Sequence, residues 1–484
     1  MKNSKLIQLL RTFSNSEMKE FGKFIRSPYF NESEQLITFY ELLKKSYPEF
    51  KGGLIEKEKI FKKLYPEEKK YDDKKIRSRS NLMLNLAEEF LLQTELKKNK
   101  KDSERYILNQ FSARKLETHF NNKLRQINEI IQEESVVNDN YFFDRYKLVK
   151  SRRNFFEFSK PIGKREEYFK EFGEESELLT KYSVLKLLKY YVIMKCDQGF
   201  LDFPFDYSFM NKLLEYVEEK KLTQFPIFEI FKNLLLLEEK EFSEELFHET
   251  RKIFYKNIPD IEKEDAILIV TELYNLATTY FYSGNNKFVK EPFEIVTQMV
   301  KNEIYPLENG FMAERQYLDT VYTALAARQN DWAEKFVNDF RMKMNPEVRD
   351  NAFNFSLSLI ELIKENYTKA LEGFAKVKVD DLFYYMRIKY NRLRIYFEIG
   401  EFDLIFTEID AFYHYLNTNT LVPEDSRERA LKFLGFFKKL VKARVNNDFD
   451  EIGLLLNDLE NTDMEMKRTL KMVMSKIIDE RKKI

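Results

Sequence analysis

Apolar residues recur at helical spacing along most of the chain. Leu36, Phe39, Tyr40 and Leu43, for example, stand at positions i, i+3, i+4 and i+7, so an α-helix places them on one face. Prolines or short polar stretches separate such segments, and Pro48 follows this one. The pattern predicts amphipathic helices joined by short loops, and therefore an all-α fold.

Helix-capping residues predict a small helical N-terminal domain over residues 1–100. Ser14-Asn15-Ser16-Glu17 offers capping side chains, with an acidic residue suited to the first turn of a helix. Lys57–Leu64 is predicted as a short helix that ends before Pro66. Asp72-Asp73 is placed to cap a longer helix that follows.

The remaining chain divides into two predicted regions. Residues 101–175 are predicted as a long helical hairpin and a linker, with two long helices over about 103–158. Lys160-Pro161-Ile162-Gly163 is the clearest candidate linker, because proline and glycine interrupt helical patterns. Residues 176–484 continue as paired helices, for which we predict a curved helical-repeat array.

A turn of one kind recurs in the C-terminal half. Asn330-Asp331-Trp332, Glu365-Asn366-Tyr367 and Gly400-Glu401-Phe402 each place an aromatic residue after small or polar ones, at intervals of 35 residues. Asn447-Asp448-Phe449 has the form of a last unit. A period near 35 indicates a repeated helix–turn–helix unit, and such units stack because none buries its apolar face alone.

These units resemble tetratricopeptide repeats, a family of helix pairs in which a small residue after the turn lets the helices approach closely. The resemblance covers roughly residues 265–465. It departs from the family pattern at Lys335 and Ile405, where the family prefers alanine. The matching positions are Leu276, Ala277, Tyr280 and Gly284, then Glu365 to Tyr367 with Ala370 and Phe374, and Tyr396 with Gly400 to Phe402.

The whole chain also resembles a bacterial protein family that is common in the Bacteroidetes. Ser27-Pro28, Tyr71-Asp72 and the helix that runs to Phe90-Leu91 carry this likeness. No activity is assigned to that family, so the resemblance implies a helical fold and no function.

Composition agrees with long helices and suggests a reducing compartment. The 484 residues include only 12 glycines and 11 prolines, which sheets and tight turns would consume in greater number. Cys196 is the single cysteine, so no disulfide forms within the chain. The first ten residues lack the features of a signal peptide, and no apolar run approaches a membrane span. We expect a soluble, cytoplasmic protein.

A search for catalytic motifs finds none, so we expect no enzyme activity, metal or cofactor. There is no glycine-rich phosphate loop, and His119, His248 and His414 are far apart in sequence. Cys196 fits a small buried hydrophobic residue better than a nucleophile. An enzyme whose site spans several helices is a third, weaker alternative to the two binding functions below.

The N-terminal part is basic. Residues 1–170 contain 37 Lys and Arg against 26 Asp and Glu. One alternative is therefore a surface that binds DNA or RNA phosphates, and the other is an ordinary solvated helix face, since acidic residues are interleaved. The candidate residues are Lys62, Lys63, Lys69, Lys70, Lys74, Lys75, Arg77 and Arg79.

A second candidate surface lies in the repeats. In the tetratricopeptide family the first helix of each pair lines the concave wall, and some members clamp a peptide carboxylate there with Lys, Arg and Asn. Guanidinium groups suit this because they bind carboxylates bidentately. The alternative is that these arginines pair with acidic neighbours while the aromatics pack between units. The candidates are Tyr274, Asn275, Phe281, Arg387, Tyr390, Asn391 and Arg394.

The sequence therefore favours a non-enzymatic scaffold or adaptor that binds a protein or peptide on the concave face of a repeat array. The alternative is a nucleic-acid-associated regulator that docks through its basic N-terminal half. The aromatic residues also fit self-association, so the oligomeric state is left open.

Overall fold

The computed structural model describes residues 3–51, 55–133, 136–159, 165–198, 203–239, 241–379, 381–460, 462 and 464–481. Within these ranges the chain forms 23 α-helices and one short β-hairpin, so the predicted all-α class is confirmed. The chain divides into two compact units, residues 1–186 and 187–484. The predicted divisions near residues 100 and 175 stay predictions, and the proposed linker at 160–163 lies outside the described residues.

The first unit contains eight complete helices and most of a ninth, which continues into the second unit. Their bounds are α1 Lys5–Arg11, α2 Asn15–Ile25, α3 Glu34–Lys44, α4 Lys57–Leu64, α5 Asp73–Lys98, α6 Lys100–Ala113, α7 Glu117–Gln132, α8 Asp139–Ser159 and α9 Arg165–Gln198.

The second unit contains the remaining helices. Their bounds are α10 Met210–Glu219, α11 Pro226–Glu239, α12 Glu244–Asn257, α13 Lys263–Tyr282, α14 Lys290–Lys301, α15 Glu314–Ala326, α16 Asn330–Phe340, α17 Arg349–Ile363, α18 Tyr367–Ala375, α19 Leu382–Ile399, α20 Phe402–Thr418, α21 Glu424–Val445, α22 Phe449–Glu460 and α23 Lys467–Arg481.

The N-terminal helices begin where their capping residues predict. Ser14 and Glu17 form a capping box, in which the Ser14 hydroxyl accepts from the Glu17 amide and the Glu17 carboxylate accepts from the Ser14 amide. The Asp72 carboxylate accepts from the Lys74 amide and caps α5. Helix α4 has the predicted bounds, Lys57–Leu64. Apolar residues of α1 to α5 then share one core.

The prediction of two long helices over residues 103–158 is wrong, because the first of them is broken into α6 and α7. Lys115 adopts a left-handed conformation at φ 57°. The Lys115 amide donates to the Ser112 carbonyl, and the Leu116 amide donates to the Phe111 carbonyl. This pair of bonds is a Schellman motif, which satisfies the last carbonyls of a helix and ends it.

The same motif recurs in the second unit and explains the repeated turns. Gly400 at φ 78° closes α19, with its amide donating to the Phe397 carbonyl and the Glu401 amide donating to that of Tyr396. Equivalent pairs of bonds surround Arg328, Glu365 and Asn447, which are also left-handed. The recurrence is thus one backbone turn built from different side chains.

The spacing of these turns differs from the prediction in one repeat. Asn330 is already the first residue of α16, whereas the left-handed residue that corresponds to Glu365 is Arg328. The equivalent turns therefore stand 37 residues apart here and not 35. A sequence pattern cannot reveal this, because an arginine in the left-handed region is uncommon and leaves no signature.

The helices from α13 to α22 contact one another in chain order. Helices α13, α15, α17, α19 and α21, here called the first helices, each contact the second helix that follows them. Each second helix from α14 to α20 also contacts the next first helix. A short hairpin of Leu307–Glu308 and Phe311–Met312 lies between α14 and α15. It turns through Asn309 and Gly310, which are both at positive φ, and it was not predicted from the sequence.

Helices α17 and α18 approach each other most closely at a glycine. A Cβ atom built on Gly373 would lie 2.2 Å from the Ser358 hydroxyl oxygen and 3.3 Å from its Cβ. Ser358 is 1% exposed, and its hydroxyl donates to the Asn354 carbonyl at 2.7 Å. A larger residue at position 373 would therefore fit only if the buried Ser358 side chain moved.

We predict that Gly373→Ala lowers the free energy of unfolding by about 1–3 kcal/mol, because the added methyl must displace a buried side chain. Gly435→Ala is the matched control. It meets nothing within 4 Å in the middle of α21, and should stabilise the chain by about 0.5–1 kcal/mol. Urea unfolding of both variants checks this. Equal effects of the two substitutions would contradict the close packing.

Candidate functional site

The predicted peptide-binding residues of α13 do not share one environment. The Tyr274 hydroxyl lies 2.8 Å from the Thr323 hydroxyl on α15, and burial raises the pKa of this tyrosine. The Asn275 side chain bonds to the Glu272 carboxyl group. Tyr274 therefore links α13 to α15, and Asn275 bonds to a side chain of its own helix. Both contacts are internal to the packed helices.

Phe281 lies under a charged side chain from the C-terminal helix. It is buried, and the guanidinium carbon of Arg468 lies 3.9 Å from the centre of its ring. The same guanidinium lies 5.6 Å from the ring of Tyr282, which is 69% exposed. Such cation–π contacts attract, and here they attach α23 to the end of α13.

On α19 the structure brings Arg387, Tyr390 and Arg394 together on one face, as their spacing predicts. Asn391 differs from them. It is buried, and its Nδ2 donates to the Arg387 carbonyl at 2.8 Å within the same helix. Three of the four predicted residues on α19 thus belong to a common surface, and the fourth supports the helix backbone.

This surface holds a carboxylate that belongs to the chain itself. Nη1 of Arg387 lies 3.9 Å from one oxygen of Glu465, and Nε of Arg429 on α21 lies 3.8 Å from the other oxygen. Arg387 and Arg429 therefore flank the Glu465 carboxylate from two neighbouring first helices. Arg387 therefore has an acidic neighbour in its own chain, which is the alternative given for it, and the clamping of a partner's carboxylate stays a prediction.

Next to this pair lies an aromatic floor. Tyr390 is 2% exposed, and its ring packs edge-on against Phe412 at 5.3 Å and Phe433 at 4.9 Å between centroids. Phe433 stacks on Phe437 at 5.5 Å, and Phe397 completes the floor 5.7 Å from Phe437. We call this surface the aromatic groove. It consists of Arg387, Tyr390, Arg394, Phe397, Arg429, Phe433 and Phe437.

Helix α23 fills the aromatic groove. Leu470, Met474 and Ile477 are buried in the same core cluster as Tyr390 and Phe433. Met466, Thr469, Leu470 and Val473 line a narrow gap opposite Arg394. Farther along, the Lys476 ammonium lies 3.6 Å from the Glu398 carboxylate of α19. The groove is therefore occupied by an amphipathic helix from its own chain.

Polar atoms beneath this helix have no hydrogen-bond partner among the described residues. They are the Tyr390 hydroxyl and the Nε atoms of Arg394 and Arg429. Burial raises the pKa of Tyr390, so its hydroxyl stays a neutral donor. Most buried polar groups in proteins are paired, so these three atoms are polar groups of the groove that α23 leaves without a hydrogen bond.

The sequence analysis missed Arg429, Glu465 and the whole of α23. Glu465 stands 78 residues after Arg387, so no local pattern joins them. A usable signal was present, because Met466, Leu470, Val473, Met474 and Ile477 follow helical spacing beyond the last recognised unit.

The basic N-terminal residues lie on α4, α5 and the turn between them, with acidic partners nearby. Lys75 pairs with Glu68, and Arg77 pairs with Asp73 at 2.6 Å. The Arg79 guanidinium donates to the Tyr65 hydroxyl at 3.0 Å. Lys62, Lys63, Lys69, Lys70 and Lys74 are exposed. These contacts are typical of a solvated helix surface with charges of both signs.

Cys196 lies beside a buried acid. Its thiol donates to the carboxylate of Glu272, which is 1% exposed and also bonds to Glu238. Burial, followed by the Glu272 charge, raises the pKa of the thiol far above its ordinary value. A thiol in this state is a poor nucleophile. Cys196 is only half-buried and its thiol is hydrogen-bonded, so it differs from the small buried hydrophobic residue that the sequence predicted.

No family model matches the chain, and comparison with curated proteins and with solved structures also finds no match. The resemblances to tetratricopeptide repeats and to the Bacteroidetes family therefore stay predictions. Within the described ranges, no three His, Cys, Asp or Glu side chains are grouped so as to hold a metal ion. None of the helices in the described part of the chain combines the length and apolar character needed to cross a membrane.

We predict that the second unit loses stability as pH rises from the pKa of Glu272 in the unfolded chain to its pKa in the folded chain. In this range Glu272 keeps its proton only in the folded state. Burial, and then the bond to Glu238, raises the pKa of Glu272 to about 8 from an ordinary 4.5. Between these values the folded state binds more protons than the unfolded state. The free energy of unfolding therefore falls as pH rises, by at most about 1.4 kcal/mol per pH unit.

Urea unfolding at pH 6 and pH 8.5 measures this slope. Glu272→Gln should flatten it, because the amide cannot titrate. Glu264→Gln, at an exposed position on the same helix, should leave it unchanged. An equal slope in wild type and Glu272→Gln would contradict the assignment.

Proposed function

We propose that the chain is a non-enzymatic scaffold or adaptor, and that it binds a protein or peptide partner on the face formed by its first helices. One observation carries this proposal. Arg387 and Arg429 flank a carboxylate, beside an aromatic floor that already accommodates an amphipathic helix.

The geometry of this face suits peptide recognition. Its charged and aromatic side chains project from α19 and α21, which are held by contacts with α20 and α22. A surface built on packed helices loses little conformational freedom when a ligand binds, so more of the contact energy remains as affinity. Aromatic and arginine side chains are also those that contribute most to protein–protein interfaces.

The nucleic-acid alternative has less support. A phosphate-binding surface needs lysines and arginines that are available to phosphates. Of the candidate residues, Lys75 and Arg77 pair with the carboxylates of Glu68 and Asp73. The five candidate lysines Lys62, Lys63, Lys69, Lys70 and Lys74 are exposed. In the described part of the chain, however, no apolar floor accompanies them as it does Arg387 and Arg429. The first-helix face has both a charged clamp and an apolar floor, and the scaffold function is therefore preferred.

We predict that a partner protein contacts the first-helix face and not the second helices. A photoreactive amino acid in place of Phe383 on α19, or of Tyr282 on α13, should cross-link to the partner in a native cell extract. Both side chains are exposed and lie close to α23 or to Arg387. Replacement of Tyr413, a 54% exposed residue on the second helix α20, is the matched control.

Cross-links should be several times more abundant from the first two positions than from the third. Mass spectrometry of the products identifies the partner and maps its contact. Cross-links that arise from Tyr413 alone, or nucleic acid as the sole captured species, would contradict the proposed function.

A further inference from the structure

Helix α23 contacts more than the two helices that precede it, α21 and α22. Helix α23 also contacts α19 through Lys476 and Glu398, at 3.6 Å. Through Arg468 it reaches Phe281 at the end of α13, at 3.9 Å. It therefore lies along the face of several first helices, where a bound peptide would lie.

The fit between α23 and the aromatic groove is incomplete in its polar contacts. Glu465 stands 3.8–3.9 Å from its two arginines, which is outside hydrogen-bond distance. The Nε atoms of Arg394 and Arg429 and the Tyr390 hydroxyl have no hydrogen-bond partner among the described residues. The groove thus offers more hydrogen-bond donors than this helix satisfies.

The Nε atom of Arg394, which has no hydrogen-bond partner among the described residues, indicates what a better ligand would carry. On α23, Thr469 lines the same gap as Arg394. It lies in the first turn of the helix, whereas Glu465 precedes the helix and is separated from it by the left-handed Met466. An aspartate or glutamate at the place of Thr469 would give Arg394 a carboxylate acceptor, in the same way that Glu465 serves Arg387 and Arg429. Apolar residues at the places of Leu470, Met474 and Ile477 would keep the contact with the floor.

We propose that the partner of the aromatic groove is an amphipathic helix with one acidic residue just before the helix and a second acidic residue in its first turn. Residues 464–478 are an intramolecular stand-in that this partner displaces. The inference rests on the proposed function, of which it specifies the ligand class and the regulation. Only the fraction of molecules whose α23 has left the groove binds the partner, so the observed affinity is reduced by that fraction.

The test uses a fluorescently labelled peptide of residues 464–481 and full-length protein, with binding followed by fluorescence anisotropy. Met474→Asp places a charge at a position that is 0% exposed and should release α23 from the groove. Met472→Asp adds the same charge on the same helix at a position that is 62% exposed, and is the matched control. The Met474→Asp protein should bind the peptide at least about tenfold more tightly than the wild type or the control.

Peptide variants test the ligand chemistry on the Met474→Asp protein. A Glu465→Lys peptide should bind about tenfold more weakly, because it puts a cation between Arg387 and Arg429. A Thr469→Glu peptide should bind several times more tightly, because it supplies the acceptor that Arg394 lacks. A peptide with Met472→Ala should bind like the parent.

The inference is overturned if Met474→Asp keeps the wild-type helix content and cooperative unfolding but binds the peptide no better than Met472→Asp. If Met474→Asp unfolds the second unit, Leu470→Ala makes the same comparison with a milder change. A wild-type dimer that Met474→Asp dissociates would show that α23 serves a second copy of the chain, which also overturns it. A further outcome is that a partner protein cross-links at positions 383 and 282 while none of the protein variants binds the peptide. This result would refute the inference and leave the proposed function in place.

Discussion

The structure of the second unit depends on the burial of apolar helix faces by the next helices along the chain. A single helix pair leaves one apolar face open, so each pair needs a neighbour. The left-handed turns at Arg328, Glu365, Gly400 and Asn447 make this possible, because they end one helix and begin the next within a few residues. After α22 the described chain continues as α23. The aromatic residues of α19 and α21 are covered by α23, and the candidate site is a consequence of that arrangement.

Local features of the fold could be predicted from the sequence, and features set by backbone conformation could not. The capping box at Ser14 and the cap at Asp72 are read from side chains that bond to nearby amides, and both are present. The break at Lys115 and the register at Arg328 depend on left-handed residues that are not glycine. Such residues are held in place by the surrounding hydrogen bonds, so their identity carries no signal.

The residues of the candidate site could likewise be predicted only in part. Helical spacing was enough to place Arg387, Tyr390 and Arg394 on one face. It could not identify Arg429 or Glu465 as their neighbours, since those contacts join residues that are distant in the chain. Asn275 and Asn391 each bond to a group of their own helix, a role that helical spacing cannot distinguish from a place on the binding face. Only the contacts distinguish the two roles.

The central claim is that α23 occupies the aromatic groove reversibly while the rest of the stack stays folded. Native-state hydrogen exchange, followed by mass spectrometry, tests it directly, because helices that open locally exchange before the global unfolding reaction. The account predicts that amides of α23 exchange through a local opening, well before those of α19 and α21. Exchange of α23 only together with α19 and α21, at the free energy of global unfolding, would show that α23 is a permanent part of the core and would contradict the account.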